Sequence, residues 1–190
     1  MNLGWRLAAV FAIQALVLVY MLVDRHWLRE AGRPIVLETL PIDPRSLFSG
    51  DHVRLNYSIN HLSLDKIEGD KEFRAHQTVY VVLRRAEPYW EVVSIHTSAP
   101  KFLSASSAEQ VMLRGEVVQA NAQRRLIDTR VVHVRYGIEA YFIPEGEGRT
   151  IERPAPGETV SMRVAVDAGG RAAIQALLVN GNERFAEQLF

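Results

Sequence analysis

The sequence predicts a mainly β protein in which one N-terminal transmembrane helix is followed by one antiparallel β-sandwich or partly open β-barrel domain. Two observations lead to this prediction. Residues 7–23 form an uncharged apolar run, and beyond residue 33 apolar residues mostly alternate with polar ones between turn signals. The 190 residues therefore divide into a membrane anchor over residues 1–30 and a β-rich domain over residues 34–190, long enough to bury a core.

The anchor prediction depends on the length of the apolar run. About 17 residues at a rise of 1.5 Å span roughly 25 Å, the short end of what a bilayer requires. Trp5 and Trp27 bracket the run, where interfacial aromatic residues lie. The alternatives are a cleaved signal peptide and a buried helix of a soluble domain. Leu22-Val23-Asp24 lacks the small residues of a cleavage site, and buried helices rarely have so long an uncharged run, so an uncleaved anchor is favoured.

Two arguments on the orientation of the anchor oppose each other. The flank of the apolar run that carries more positive charge usually lies in the cytoplasm. One arginine, Arg6, precedes the run, whereas Arg25, Arg29 and Arg33 follow it, so this rule would place the domain in the cytoplasm. A very short basic tail before a single apolar run is instead typical of a signal anchor that exports the domain on its C-terminal side. We therefore expect a single-pass inner-membrane protein with residues 7–23 in the lipid bilayer and the C-terminal domain in the periplasm.

Patterns of period two predict about eight short strands. Residues 35–40 form the first, and residues 41–49 form a connection with one helical turn that Gly50 ends. The next strand covers residues 51–59, and its core face is formed by Val53, Leu55, Tyr57 and Ile59. Three hairpins pair residues 78–84 with 89–95, 111–119 with 126–135, and 160–166 with 171–179, the last through a glycine-containing turn. Helix is otherwise sparse, and residues 62–73 are the remaining candidate.

Composition excludes several classes of protein. The 22 lysine and arginine residues balance 22 aspartate and glutamate residues, so the chain lacks the basic surface of a nucleic-acid-binding protein, and no nucleic acid partner is expected. The absence of cysteine excludes disulfides, thiolate zinc sites and iron–sulfur clusters. Because none of the six histidines lies two to four residues from another, the sequence predicts no metal site and no cofactor.

The adjacent Asp51 and His52 resemble an acid–base pair, because a carboxylate can orient an imidazole as a general base. Neighbouring residues of a strand point to opposite faces, however, so these two side chains are not expected to meet. The sequence also contains no GxSxG elbow and no SxxK pair. Asp51 is expected to bond backbone amides in a turn, and no catalytic residue is predicted.

Residues 136–152 form a second dense patch of aromatic, glycine and acidic residues. Glu145, Glu147 and Glu152 could offer oxygens to a hard cation, although their spacing is not that of an EF-hand. The two glycines beside these glutamates, Gly146 and Gly148, would permit a ligand or partner to approach the backbone closely. The alternative, which we favour, is a crossover loop anchored by Tyr136 and Tyr141 with a solvated acidic tip.

Residues 50–57, GDHVRLNY, resemble the defining run of the GDYXXLXY family of bacterial membrane-anchored proteins. Gly50, Asp51, Leu55 and Tyr57 match that run, and His52 stands where the family has tyrosine. The DPRSLF lead-in and the YGIEAYFIPEGEG run also resemble family sequence, so the similarity covers the anchor and most of the exported domain. The resemblance implies no established activity, but it implies association with a multi-pass membrane protein.

The functional hypothesis from the sequence is a membrane-tethered, non-enzymatic interaction module in an envelope membrane-protein complex. The residues predicted for binding are Gly50, Asp51, His52, Arg54, Tyr57, Tyr136, Tyr141, Glu145 and Glu147. The alternative is an envelope hydrolase or ligand-binding protein in which Asp51, His52 and the Glu145/Glu147 loop converge. A third hypothesis is a domain that binds cell-wall glycan or lipid through an exposed aromatic groove.

Overall fold

The architecture has the predicted order of one helix and then strands. A computed structural model describes residues 3–40, 52–100, 109–119, 130–142 and 157–186. Within these residues the chain forms helix α1 (Leu3–Ala31) and thirteen strands. The strands are β1 (Arg33–Leu40), β2 (His52–Arg54), β3 (Asn56–Tyr57), β4 (His61–Ser63), β5 (Glu68–Gly69), β6 (Thr78–Arg84), β7 (Glu91–His96), β8 (Gln110–Gln119), β9 (Val131–Arg135), β10 (Ala140–Phe142), β11 (Val160–Val166), β12 (Ala172–Val179) and β13 (Asn182–Ala186).

The strands form one antiparallel sheet and one curled, half-barrel sheet, which confirms the predicted fold class. The first sheet has the order β13-β12-β11-β1-β3, and the second has the order β4-β9-β8-β6-β7-β5. Strands β2 and β10 form a separate two-stranded ribbon. The predicted hairpin partners pair antiparallel, as β6 with β7, β8 with β9, and β11 with β12.

The turn between β11 and β12 has the predicted chemistry. Gly170 has a φ of +82°, a conformation that glycine adopts without a steric penalty. The Asp167 carboxylate accepts hydrogen bonds from the backbone N–H groups of Gly169 and Arg171 at 2.9 and 2.8 Å. The carbonyl of Gly170 accepts a 2.7 Å bond from the N–H of Arg114, so this turn also joins the first sheet to β8 of the second.

Two expectations need correction. Residues 62–73 do not form a helix, because the start and the middle of this segment pair with other strands: β4 lies against β9, and β5 lies parallel to β7. Gly69 has a φ of +101° within β5, which a helix cannot accommodate. The predicted strand over residues 51–59 is interrupted within its described part, where β2 and β3 are followed by a 3₁₀ turn at Ser58–Asn60. The predicted helical turn at 41–49 and the connection that joins residues 111–119 to residues 126–135 in the second predicted hairpin lie outside the described residues.

One continuous apolar cluster joins the two sheets. From the first sheet it includes Ile35, Leu37, Val164 and Leu177, and from the second Val79, Val81, Leu113 and Val134. Each such side chain contributes roughly 1.5–3 kcal/mol when it is fully buried. Along β1, Ile35 and Leu37 are buried and the residues next to them are more exposed. This alternation is the pattern that predicted the strand.

Candidate functional site

Two tyrosines connect the segment around residue 57 to the segment around residue 136. The hydroxyl of Tyr57 donates a 2.8 Å hydrogen bond to the carbonyl of Ile138. In the opposite direction, the hydroxyl of Tyr136 donates a 2.8 Å bond to the carbonyl of Ile59. Burial, and to a lesser extent the Glu139 carboxylate, raise the pKa of both phenols well above the ordinary value. Both hydroxyls therefore remain protonated donors.

Asn60 and Glu139 complete this connection. Asn60 is 1% exposed, and its side-chain oxygen accepts a 2.6 Å bond from the backbone N–H of Tyr57. Its amide nitrogen donates to the carbonyl of Val134 at 2.8 Å and to Glu139 Oε1 at 3.3 Å. Glu139 in turn accepts bonds from the backbone N–H groups of Tyr136 and Gly137 at 2.6 and 2.8 Å. We name Tyr57, Asn60, Tyr136 and Glu139 the tyrosine clasp.

The β2–β10 ribbon extends the tyrosine clasp toward the predicted binding residues. Arg54 lies opposite Ala140, and His52 lies opposite Phe142. The backbone N–H of Leu55 donates a 2.8 Å bond to the carbonyl of Glu139, at the end of the ribbon. The fold therefore brings together two segments that lie far apart in the sequence.

The three predicted tyrosines point into the protein. Tyr57 is fully buried, and Tyr136 and Tyr141 are 7% and 3% exposed. Their described contacts are internal, and the hydroxyl of Tyr141 reaches the carbonyl of Phe185 at 3.4 Å. These phenols fix the shape of the segments, so any partner would have to contact other groups on them. Leu55, Tyr57 and Ile59 are buried, which confirms the predicted core face at these three positions.

The other predicted binding residues have no described side-chain geometry. The structure describes His52 and Arg54 as strand residues by their backbone. Gly50, Asp51, Glu145 and Glu147 lie outside the described residues. Binding by these residues stays a prediction, as does the alternative in which Asp51, His52 and the two glutamates share one pocket. In the part of the chain that the structure describes, no three histidine, aspartate or glutamate side chains are grouped to hold a metal ion.

A pair of histidines lies beside the tyrosine clasp. His61 of β4 and His133 of β9 are cross-strand partners, and their rings stack with centroids 4.4 Å apart and planes inclined by 16°. Burial lowers the pKa of His133, and the nearby charge of His61 lowers it further. The charge of Arg135 also lowers this pKa, whereas the carboxylate of Glu139 raises it.

The lowered pKa of His133 predicts a loss of stability in acid. The unfolded chain takes up a proton at this residue at a higher pH than the folded chain does, so the stabilisation is present above pH ~6.5 and decreases as the pH falls through that value. Denaturant titrations at several pH values from about 8 to about 5, on either side of ~6.5, should show this decrease in the free energy of unfolding. His133→Gln should flatten this decrease. An unchanged slope in His133→Gln would contradict the assignment.

Helix α1 joins the first sheet without a linker. Its last two turns continue beyond the apolar run and lie on the outer face of β11 and β12, where Leu28 is 5% exposed. Ala165 and Ala173, which face each other across these two strands, are fully buried there. A β-carbon on Gly32 would lie 2.9 Å from the Cβ of Ala165. Small residues on both surfaces thus allow the close approach.

Polar contacts fix the junction between α1 and the sheet. Arg171 donates to both carboxylate oxygens of Asp24, at 2.7 and 3.1 Å, and to Asp167 Oδ2 at 2.7 Å. The Gln175 amide donates a 2.6 Å bond to the carbonyl of Arg29, and Arg25 donates a 3.3 Å bond to that of Ala172. These bonds connect the helix to residues 146 or 147 positions away.

Sequence reasoning did not single out Asn60, Glu139, Asp24 or Arg171. Asn60 had a local signal, because an asparagine three residues after Tyr57 can bond the backbone of that residue. Glu139 had a weaker signal, since Gly137 two positions before it can form a turn whose N–H groups face a carboxylate. Asp24 and Arg171 had no local signal, because their partnership depends on how the helix meets the sheet.

These features define a class of protein: a β-rich domain carried directly on one helix that is long and apolar enough to cross a bilayer. A family model described as GDYXXLXY protein matches residues 14–177, and the chain belongs to this family. The resemblance inferred from residues 50–57 is therefore confirmed. No curated protein and no solved structure matches the chain.

Proposed function

We propose that this chain is a single-pass inner-membrane protein whose periplasmic domain is a non-enzymatic interaction module for a multi-pass membrane protein. The observation that supports this most is the junction, where α1 passes from its apolar run directly onto the outer face of the first sheet. A domain held in this way has one orientation relative to the bilayer. Such an orientation suits docking onto a partner that is itself fixed in the membrane.

The uncovered length of α1 gives further support. Its most apolar 18-residue window has a mean hydropathy of 2.2, and none of that window is buried against the domain. Large apolar side chains such as Phe11, Leu16 and Leu18 are more than 60% exposed. Lipid over residues 7–23 would remove this surface from water, and neighbouring transmembrane helices of a partner could cover part of it.

Gln14 supports a partner helix within the membrane. It is the one polar side chain in residues 7–23 apart from the interfacial Tyr20, and it is exposed on α1. An amide in hydrocarbon gains from a hydrogen bond to a second helix, by about 0.6 to 2 kcal/mol in known cases. Gly4, Ala8 and Ala12 recur every four residues on a different side of α1 from Gln14, where a second neighbouring helix could approach the backbone closely.

The β2–β10 ribbon is the proposed contact surface of the domain. It places residues 52–54 beside residues 140–142, and these are the segments predicted for binding. The tyrosine clasp beside the ribbon holds both segments, so the surface is formed before a partner arrives. A preorganised surface binds at a lower entropic cost than one that must order on contact.

The proposal predicts a partner adduct that depends on Gln14. The full chain, with a photocrosslinking residue at position 18, one turn from Gln14 on the same side of α1, is irradiated in native membranes and purified in mild detergent. We expect an adduct with a multi-pass protein, and Gln14→Leu should reduce its yield several-fold because the interhelical hydrogen bond is lost. Leu16→Ala changes another side of α1 and should leave the yield unchanged. Recovery of the chain alone, or an equal loss in both variants, would count against the proposal.

A further inference from the structure

The junction between α1 and the sheet forms an open-sided cavity of about 400 Å³. Trp27 and Leu28 of the helix form one wall, and Met112 of β8 and the turn after β11 form others. Its size is within the range of small-molecule sites, which is roughly 300–1,000 Å³. The cavity is separate from the β2–β10 ribbon and shares no residue with the tyrosine clasp.

The position of the cavity along α1 determines which ligands can reach it from the bilayer. Asp24 directly follows the apolar run, and Trp27 lies roughly 4–5 Å further along the helix at 1.5 Å per residue. The headgroup layer of a bilayer is roughly 5–8 Å deep on each side. If residues 7–23 occupy the hydrocarbon, Asp24 and Trp27 lie at the depth of the lipid headgroups. Trp27 is 65% exposed, as expected for an interfacial tryptophan.

The charges around the cavity match a zwitterion. Asp24, Asp167 and Arg171 all contribute to its lining, and Arg33 adds a second guanidinium. Each oxygen of Asp24 accepts one described bond, from Arg171, so each retains a lone pair for a second donor. Arg171 uses three of its five N–H groups on the two carboxylates. Carboxylates suit an ammonium group and guanidinium groups suit a phosphate.

We propose that this cavity binds the headgroup of an aminophospholipid from the adjacent leaflet, with its primary ammonium on Asp24 and Asp167 and its phosphate on Arg171. This inference rests on the membrane insertion in the proposed function. A trimethylated headgroup carries the same charge but has no N–H to donate to the carboxylates. An anionic glycerol headgroup lacks the cation that the two carboxylates favour. The exposed indole of Trp27 adds a cation–π contact to the ammonium.

The lipid composition retained by the purified full chain tests this proposal. The chain is reconstituted into vesicles of equal parts phosphatidylethanolamine, phosphatidylcholine and phosphatidylglycerol, floated, and released for native mass spectrometry. We expect phosphatidylethanolamine to be retained over phosphatidylcholine by roughly tenfold, the effect of one charge-assisted hydrogen bond. Ala168→Trp, in the exposed turn that lines the cavity, should abolish the preference by filling the space.

Matched variants separate the cavity from general lipid contact. Trp27→Ala should reduce the preference several-fold, whereas Trp5→Ala, which removes a similarly exposed tryptophan at the other end of α1, should not. Ala186→Trp on the exposed strand β13 serves as the control for Ala168→Trp. Flotation with equal retention of all three lipids would overturn this inference alone. Failure of the chain to float with vesicles would overturn both the inference and the proposed membrane insertion.

Discussion

Replacing Tyr57 by alanine is expected to lower the free energy of unfolding by about 3–5 kcal/mol, the usual loss for a buried aromatic residue. Tyr57 has no exposed surface, and its ring belongs to the apolar cluster that joins the sheets. The substitution also removes the 2.8 Å bond to the carbonyl of Ile138. Denaturant titration of the full chain in detergent, followed by tryptophan fluorescence, measures the change.

A smaller substitution distinguishes the ring from its hydroxyl. Tyr57→Phe should cost about 1–2 kcal/mol, because the carbonyl of Ile138 loses its side-chain donor while packing is kept. Tyr80→Phe, at a half-buried tyrosine of β6, is the matched control and should change stability by less than about 0.5 kcal/mol. If Tyr57→Ala and Tyr80→Ala had equal effects, the tyrosine clasp would not have the role assigned to it.

Replacing Asn60 by leucine is expected to cost about 3 kcal/mol or more, although the two side chains have the same number of heavy atoms and the same branching. The substitution leaves three groups without their Asn60 partner: the N–H of Tyr57, the carbonyl of Val134 and the carboxylate of Glu139. Each buried polar group that loses its hydrogen bond costs about 1–3 kcal/mol. The same denaturant titration measures the loss.

Coupling within the tyrosine clasp gives a sharper test of Asn60. Asn60→Leu combined with Tyr136→Phe should be less destabilising than the sum of the two single variants, since both disrupt the same connection. Asn182→Leu, at an exposed position of β13, is the control and should be nearly neutral. Strict additivity of the Asn60 and Tyr136 variants would contradict a shared network.

The sequence predicted the elements whose patterns are local. The alternation in β1, β6 and β8 is visible in single segments, and the hairpin turn at 167–170 is determined by the residues themselves. Residues 62–73 are a helical candidate by composition alone. Their conformation in the structure depends on pairing with β7 and β9, whose residues are distant in sequence. A local sequence pattern does not indicate such pairing.

The candidate site was predictable only in part for the same reason. The sequence identified residues 50–57 and 136–152 as the notable segments, and the structure places parts of their described portions side by side. It indicated Tyr57 and Tyr136 as binding residues, which stays a prediction, and the structure shows that their side chains are buried and hydrogen-bonded within the protein. A motif residue can be distinctive because it holds two segments together, and a sequence alone does not separate that role from contact with a partner.

The absence of a linker between α1 and β1 also affects how partners meet. Only Gly32 stands between Ala31 and the first strand residue, Arg33. A long flexible tether lets a domain search a volume that grows with its length, which dilutes the domain around any one target. With α1 in the bilayer as proposed and with no tether, encounters of this domain with a membrane-bound target would occur by lateral diffusion in two dimensions, at a constant height above the membrane. Inserting a glycine-serine linker at Gly32 would therefore lower the effective concentration of the domain at its target without altering a single contact residue.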